Sequence, residues 1–284
     1  MRRRRSSDGA AAGGRTILRF ARRLLVASAV AAAAGYVAVL VLLLVHERDL
    51  LFIRGRTAHA RDPGYQARTI AERDGTRVTV WQVPPPRARG VSVGFFYGNA
   101  GTLSDFARIG ASLHDEGYGI VLASYRGYPG NTGSPSEDGI MADARAILAT
   151  LAPGPVVLWG QSLGTGVAAR MAAEGRGAAL ILQSPYTAVA DVAARRFPIF
   201  PVHWLMRDPF DTRSLVPKIG VPVLIMSGTD DRTVPFDMGQ TLARLLGRQA
   251  TFVPFEGGGH ALPEWGVQDV AERWLRAHAG TLVH

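Results

Sequence analysis

Val156-Val157-Leu158-Trp159-Gly160-Gln161-Ser162-Leu163-Gly164-Thr165-Gly166 is the stretch whose reading decides the fold. Its first four residues are a short apolar run, the composition of a buried strand. The run stops at Gly160-Gln161-Ser162-Leu163-Gly164, and Val167 to Ala173 then has the alanine-rich periodicity of a helix. Strand, sharp turn and helix form the context in which G-x-S-x-G presents a serine at the top of a sheet. The glycines have a steric role: a serine on so tight a turn is strained, so the residues two before and two after must be almost without side chains. The turn points the Ser162 hydroxyl beside the next helix's N-terminus, whose unpaired N–H groups favour developing negative charge. A plain strand-to-helix turn using glycine and a capping serine carries the same five letters, so the rest of the chain must decide.

The 284 residues allow one large domain or two small ones, and 47% hydrophobic content describes a globular chain. Seventeen prolines and 33 glycines imply many turns, and the absence of cysteine excludes disulfides, a thiol nucleophile and thiolate metal sites. Eight arginines against Asp8 put +7 of the +9 net charge in residues 1–23, leaving +2 for the remainder. The basic balance therefore belongs to the N-terminal tail and argues against a nucleic-acid partner. Residues 1–15, rich in Arg, Ser and Gly, are expected to lack structure.

From Leu24 to Val45 no residue is charged. A helix of that length spans about 33 Å, enough for a ~30 Å hydrocarbon core. Arginines crowd its N-terminal flank while His46-Glu47-Arg48-Asp49 is nearly neutral, so the positive-inside rule leaves the N-terminus in the cytoplasm and the remainder outside. The competing readings are an exported protein cleaved near Ala31 to Ala34 and a buried core helix, which would not explain the arginines.

These boundaries divide the chain into a basic tail (1–23), a transmembrane anchor (24–45), a linker (46–64) and a domain over 65–280. Within the domain, Arg77 to Val83 alternates and predicts an antiparallel edge strand. From Val91 onward strand-like and helix-like segments alternate, which predicts an α/β fold with a mostly parallel sheet covered on both faces. Ligands bind such sheets at the strands' C-terminal ends.

A serine hydroxyl needs a base to take its proton, and that base needs orienting. Partners are expected in later strand-end loops, in the order acid, then histidine. Val221 to Ser227 ends in Gly228-Thr229-Asp230-Asp231-Arg232, and the next strand ends in Glu256-Gly257-Gly258-Gly259-His260. His260 is the expected base, and either Asp230 or Asp231 its orienter. Two N–H donors must face the developing oxyanion. Leu163 supplies one, and the loop Gly98-Asn99-Ala100-Gly101 is the source of the other.

With these motifs in order, the chain resembles serine hydrolases of the α/β-hydrolase fold. It is most similar to the single-pass, membrane-anchored α/β-hydrolase-domain proteins, a group including depalmitoylases and monoacylglycerol-lipase-like enzymes. Tyr97-Gly98-Asn99-Ala100-Gly101 matches the family's His-Gly-Asn-Ala-Gly oxyanion loop, with Tyr97 in place of its histidine. Ser124 to Tyr128 through Gly133 to Glu137 matches its Tyr-Arg-Gly-Tyr-Gly loop, and Ser184-Pro185-Tyr186 the Ser-Pro-Phe that opens its cap. The resemblance aligns the triad acid with Asp231 and the base with His260. It implies ester or thioester hydrolysis of a lipid-like or acylated substrate by Ser162, Asp231 and His260. The backbone N–H groups of Leu163 and Asn99 are the expected oxyanion hole, and no metal or organic cofactor is expected. A non-catalytic envelope module, kept in view by Tyr97, and a peptidase of the same fold are the alternatives. Over 185–216 the prolines break the strand–helix rhythm. The apolar Phe197 to Met206 within it reads as either an acyl-binding cap or core packing against the sheet edge. Arg126 is expected to pair with a carboxylate.

Overall fold

The computed structural model describes residues 7–55, 62, 64–87, 90–151 and 153–282. Two compact units divide at Glu47 and Arg48. The first is dominated by α1 (Ser7–Val45), whose portion Arg19–Val45 has mean hydropathy 2.5. Among the described residues it is the one helix long and apolar enough to cross a membrane. The helix begins at Ser7, so residues 7–15 are helical where composition predicts no structure. Ala10-Ala11-Ala12 and Arg15 are strong helix formers, and continuity with the long helix behind them carries the chain through Gly9, Gly13 and Gly14. Arg2 to Arg5 lie outside the described residues.

After α2 (Glu47–Leu51), the second unit is built on eight strands: β1 (Gln66–Ala71), β2 (Arg77–Val83), β3 (Ser92–Phe96), β4 (Gly119–Ala123), β5 (Val156–Gln161), β6 (Ala179–Gln183), β7 (Val223–Gly228) and β8 (Ala250–Phe255). They form one sheet in the order β1-β2-β4-β3-β5-β6-β7-β8, antiparallel at β1-β2 and β2-β4 and parallel thereafter. This is an α/β fold with a mixed, mostly parallel sheet. Arg77 to Val83 is not the edge strand its alternation predicts: β1 lies outside it. Five of β1's six residues are exposed, so the strand has no apolar period to read.

The helices are α3 (Ala107–Asp115), α4 (Glu137–Leu148), α5 (Leu163–Ala173), α6 (Val189–Arg196), α7 (Val202–Leu205), α8 (Phe236–Leu246) and α9 (Glu264–Leu282). Covered by helices, β3, β4, β6 and β7 bury every residue, which explains their near-continuous apolar sequences. Phe95 joins the layers, packing on Phe106 and Trp159 at centroid distances of 4.9 and 5.0 Å.

The stretch read as a linker over 46–64 is partly packed into the second unit. Phe52 is buried against Phe210, and Arg48 Nε donates to Asp208 Oδ2 at 2.7 Å. One aromatic and one arginine suffice to dock a segment whose composition is otherwise that of a connector. Residues 56–61 and 63 of that stretch lie outside the described residues. Parallel register brings the ends of the inner strands level: Phe96 pairs with Gly160, Gln161 with Gln183, and Gly228 with Phe255. The loops after β3, β5, β6, β7 and β8 therefore leave one edge of the sheet.

Candidate active site

Ser162 sits between β5 and α5 with φ 49° and ψ −118°, a conformation costly for a residue with a side chain. Its flanking glycines are sterically obligatory. A Cβ on Gly160 would lie 2.3 Å from Gly164 O, and one on Gly164 would lie 2.0 Å from Phe96 O. The turn is therefore wedged between α5 and the end of β3. Ser162 N donates to Gln183 O at 2.9 Å, and Thr165 N returns to Ser162 O at 2.9 Å, so neighbouring strand and helix hold the strained residue.

The structure brings Ser162, Asp231 and His260 together. His260 Nε2 is 2.9 Å from Ser162 Oγ, and His260 Nδ1 is 2.8 Å from Asp231 Oδ2. Asp231's side chain is 2% exposed and that of His260 28%. The second oxygen of Asp231 accepts from Thr233 N and Val234 N, both at 2.8 Å. Its carboxylate is thus fixed on both sides. Asp230 is exposed, and its backbone N–H donates to Gly258 O at 2.9 Å. Between the two aspartates left open by the loop sequence, only Asp231 contacts the histidine.

Leu163 opens α5, where first-turn N–H groups have no intrahelical carbonyl. Gly98 runs so close to the serine that a Cβ there would lie 3.2 Å from Ser162 Cβ, which brings the Gly98-Asn99 backbone alongside the hydroxyl. Asn99's side-chain amide faces away, donating to Leu51 O at 3.1 Å.

Tyr97 is buried, and its phenol lies 2.8 Å from Ser124 Oγ. The loop it begins is braced from a neighbouring loop. Tyr125 Oη donates to Tyr97 O at 2.8 Å, and Tyr128 Oη donates to Asn99 O at 2.7 Å. Burial lifts all three phenols well above their ordinary range, keeping them protonated. Asn131 ties the bracing loop together through Ser124 Oγ and Tyr125 O, at 2.8 and 2.7 Å. Sequence reasoning missed the roles of Tyr125 and Tyr128. The signal available was their place in the family-like loop.

Arg126 anchors the same loop. It reaches Asp143 at 2.8 Å, Asp74 at 2.9 Å and Glu72 at 3.1 Å, the carboxylate pairing expected of it. Three carboxylates share one guanidinium. Burial, then the hydrogen bond and charge of Asp143, push Glu72 up to about 8 against the pull of Arg126.

The segment after β6 holds α6 and α7, packed on each other, and a 3-10 turn at Arg213–Lys218 that packs on α5 and α8. Asp191 joins it, accepting from Thr187 Oγ1 at 2.5 Å and lying 2.8 Å from His203 Nε2. Trp204 is 90% and Ile199 71% exposed. Core packing is therefore not the destination of these two side chains. Among the described residues no cluster of three or more His, Cys, Asp or Glu groups has metal-binding geometry.

Residues 92–215 match the alpha/beta hydrolase fold family. An uncharacterized protein of Mycobacterium tuberculosis is 35% identical over 202 residues, covering 69% of this chain and 72% of that one. An alpha/beta hydrolase domain-containing protein of Arabidopsis thaliana is 30% identical, again over 69% of this chain and 72% of its own. The lysophosphatidylserine lipase of Danio rerio is 34% identical over 57% of this chain, which matches half of that protein's length. Among solved structures, ferulic acid-bound Est1E of Butyrivibrio proteoclasticus superimposes with TM-score 0.66 at 17% identity. The match covers 75% of this chain and 100% of Est1E, a likeness of fold.

Proposed function

Since this chain belongs to the alpha/beta-hydrolase fold family, we propose that it is a membrane-anchored serine hydrolase that cleaves a carboxylic ester or thioester through an acyl-enzyme on Ser162. One observation carries the reading: an unbroken side-chain path from Asp231 Oδ2 through both ring nitrogens of His260 to Ser162 Oγ. Ser162 Oγ attacks the substrate carbonyl carbon as His260 Nε2 takes its proton. The C–O or C–S bond then breaks, and the same proton passes to the leaving alcohol or thiol. Water repeats the cycle, losing a proton to His260 and releasing the acid, and Ser162 regains its proton. Asp231 keeps the Nδ1–H tautomer and stabilises the imidazolium. Leu163 and Asn99 backbone N–H groups hold the oxyanion, each donor of this kind contributing about 10²–10³-fold to the rate.

The substrate is lipid-like. A relative named a lysophosphatidylserine lipase makes a lysophospholipid ester the first class to test. The single-pass anchored group that the sequence resembles adds monoacylglycerols and acyl thioesters. The domain plan follows: basic tail 1–23, anchor 24–45, and a hydrolase domain over 65–280 carrying a small cap at about 185–216. The arginines before the anchor leave the N-terminus in the cytoplasm and the domain outside.

The test is hydrolysis by the detergent-solubilised full chain of a panel of lysophospholipids, monoacylglycerols and acyl thioesters of graded length. The expected result is turnover that peaks at one acyl length and vanishes in Ser162→Ala. Turnover of peptide amides in preference to every ester would sink the reading. For orientation, a phosphatase fused after residue 284 gives signal and a cytoplasmic reporter does not; the reverse pattern overturns it.

A further inference from the structure

We infer that Ser184 is a positioning residue for His260, an inference that rests on the triad reading and names a fourth side chain behind it. His260 follows Gly257-Gly258-Gly259, the most permissive backbone in the chain. A histidine on such a loop needs external fixed points. Two lie before it: Gly257 N donates to Thr229 Oγ1 at 2.8 Å, and Asp230 N donates to Gly258 O at 2.9 Å. At His260 itself the fixed point is Ser184, whose Oγ donates to His260 O at 3.0 Å.

Ser184 is buried and has φ 52°. That backbone conformation favours glycine, so the side chain is kept at a conformational cost. The hydroxyl is the feature that glycine lacks. Ser184 is also tied to the acid's strand, β7, and through Tyr186 to the nucleophile's helix. Its N–H donates to Met226 O at 2.8 Å, and two residues on, Tyr186 Oη donates to Leu163 O at 2.9 Å. Leu163 is the residue after Ser162. The tripeptide Ser184-Pro185-Tyr186 thus spans from the nucleophile's helix to the histidine's carbonyl, setting the two halves of the triad relative to each other. Loss of the hydroxyl leaves Ser162 and its oxyanion donors in place and lets the imidazole drift from Oγ.

The experiment compares wild type, Ser184→Ala and Ser184→Gly as full chains in detergent. It measures kcat and KM on a p-nitrophenyl ester, with kcat expressed per site titrated by a fluorophosphonate. Alanine keeps the strain and glycine relieves it, and both lack the hydroxyl. The expected result is a kcat per titrated site lowered about 3- to 10-fold in both, the worth of one backbone hydrogen bond. KM should stay within about twofold, the signature of an interaction that matters in the transition state. Wild-type kcat in Ser184→Gly would assign Ser184's role to backbone shape and overturn the inference. So would wild-type kcat in both variants, or a rise in KM that accounts for the loss. A wild-type chain with no titratable serine would instead defeat the hydrolase reading itself.

Discussion

The loops bearing Ser162, Asp231 and His260 and the stretch Phe197 to Met206 after β6 are built by opposite means. Around the serine, backbone lies on backbone so closely that Gly164 has Phe96 O within 2.0 Å of where a Cβ would sit. Asp231 is fixed by two N–H groups, and the loop after β3 by two buried tyrosines. There, His203 Nε2 lies 2.8 Å from Asp191 Oδ1 between α7 and α6, Arg195 reaches out to Asp237 on α8, and Trp204 faces solvent. Geometry that must hold to a fraction of an ångström is set by main chain and burial. The exposed stretch is held instead by side-chain contacts open to solvent.

Substitutions that probe the two regions test this contrast. The largest effect is expected at the triad acid: Asp231→Asn lowers kcat about 10²–10⁴-fold, following the behaviour of such acids elsewhere, while Asp230→Asn changes it little. Equal losses would break the assignment. Next comes packing. Gly164→Ala forces a methyl into the β3 backbone and should cost about 3 kcal/mol or more in denaturant unfolding, whereas Trp204→Ser should stay within about 0.5 kcal/mol. A smaller effect concerns the Arg126 cluster. Glu72 binds its proton more tightly folded, near 8, than unfolded, near 4.5. Its contribution is therefore fully present below about 4.5 and is lost as pH rises through about 8. Glu72→Gln should flatten that decline in Tm between pH 5 and 9; an unchanged slope would remove Glu72 as its source.

Legibility followed the same division. The turn at Gly160 to Gly164 and the loops ending in Asp231 and His260 were readable because their steric needs restrict residue type locally. The structure brings those three side chains into one hydrogen-bonded path. The sequence left Asp230 and Asp231 open, since adjacent acids differ only in which one the loop turns inward. β1 went unread because Gln66 to Ala71 is mostly exposed, and with it the true sheet edge. The tyrosine braces went unread because each links positions 28 or 29 residues apart, with only their place in the family-like loop to suggest them. An apolar run such as Phe197 to Met206 looks alike whether buried or exposed, so its outward-facing Trp204 and Ile199 came only from the fold.

The central claim is that Ser162 is a nucleophile activated by His260. Its most direct test is fluorophosphonate labelling of the folded full chain followed by peptide mapping. The account predicts one adduct, on Ser162, absent in Ser162→Ala and formed far more slowly in His260→Ala. A folded wild-type chain that stays unlabelled, or one that carries its adduct on another residue, would contradict it.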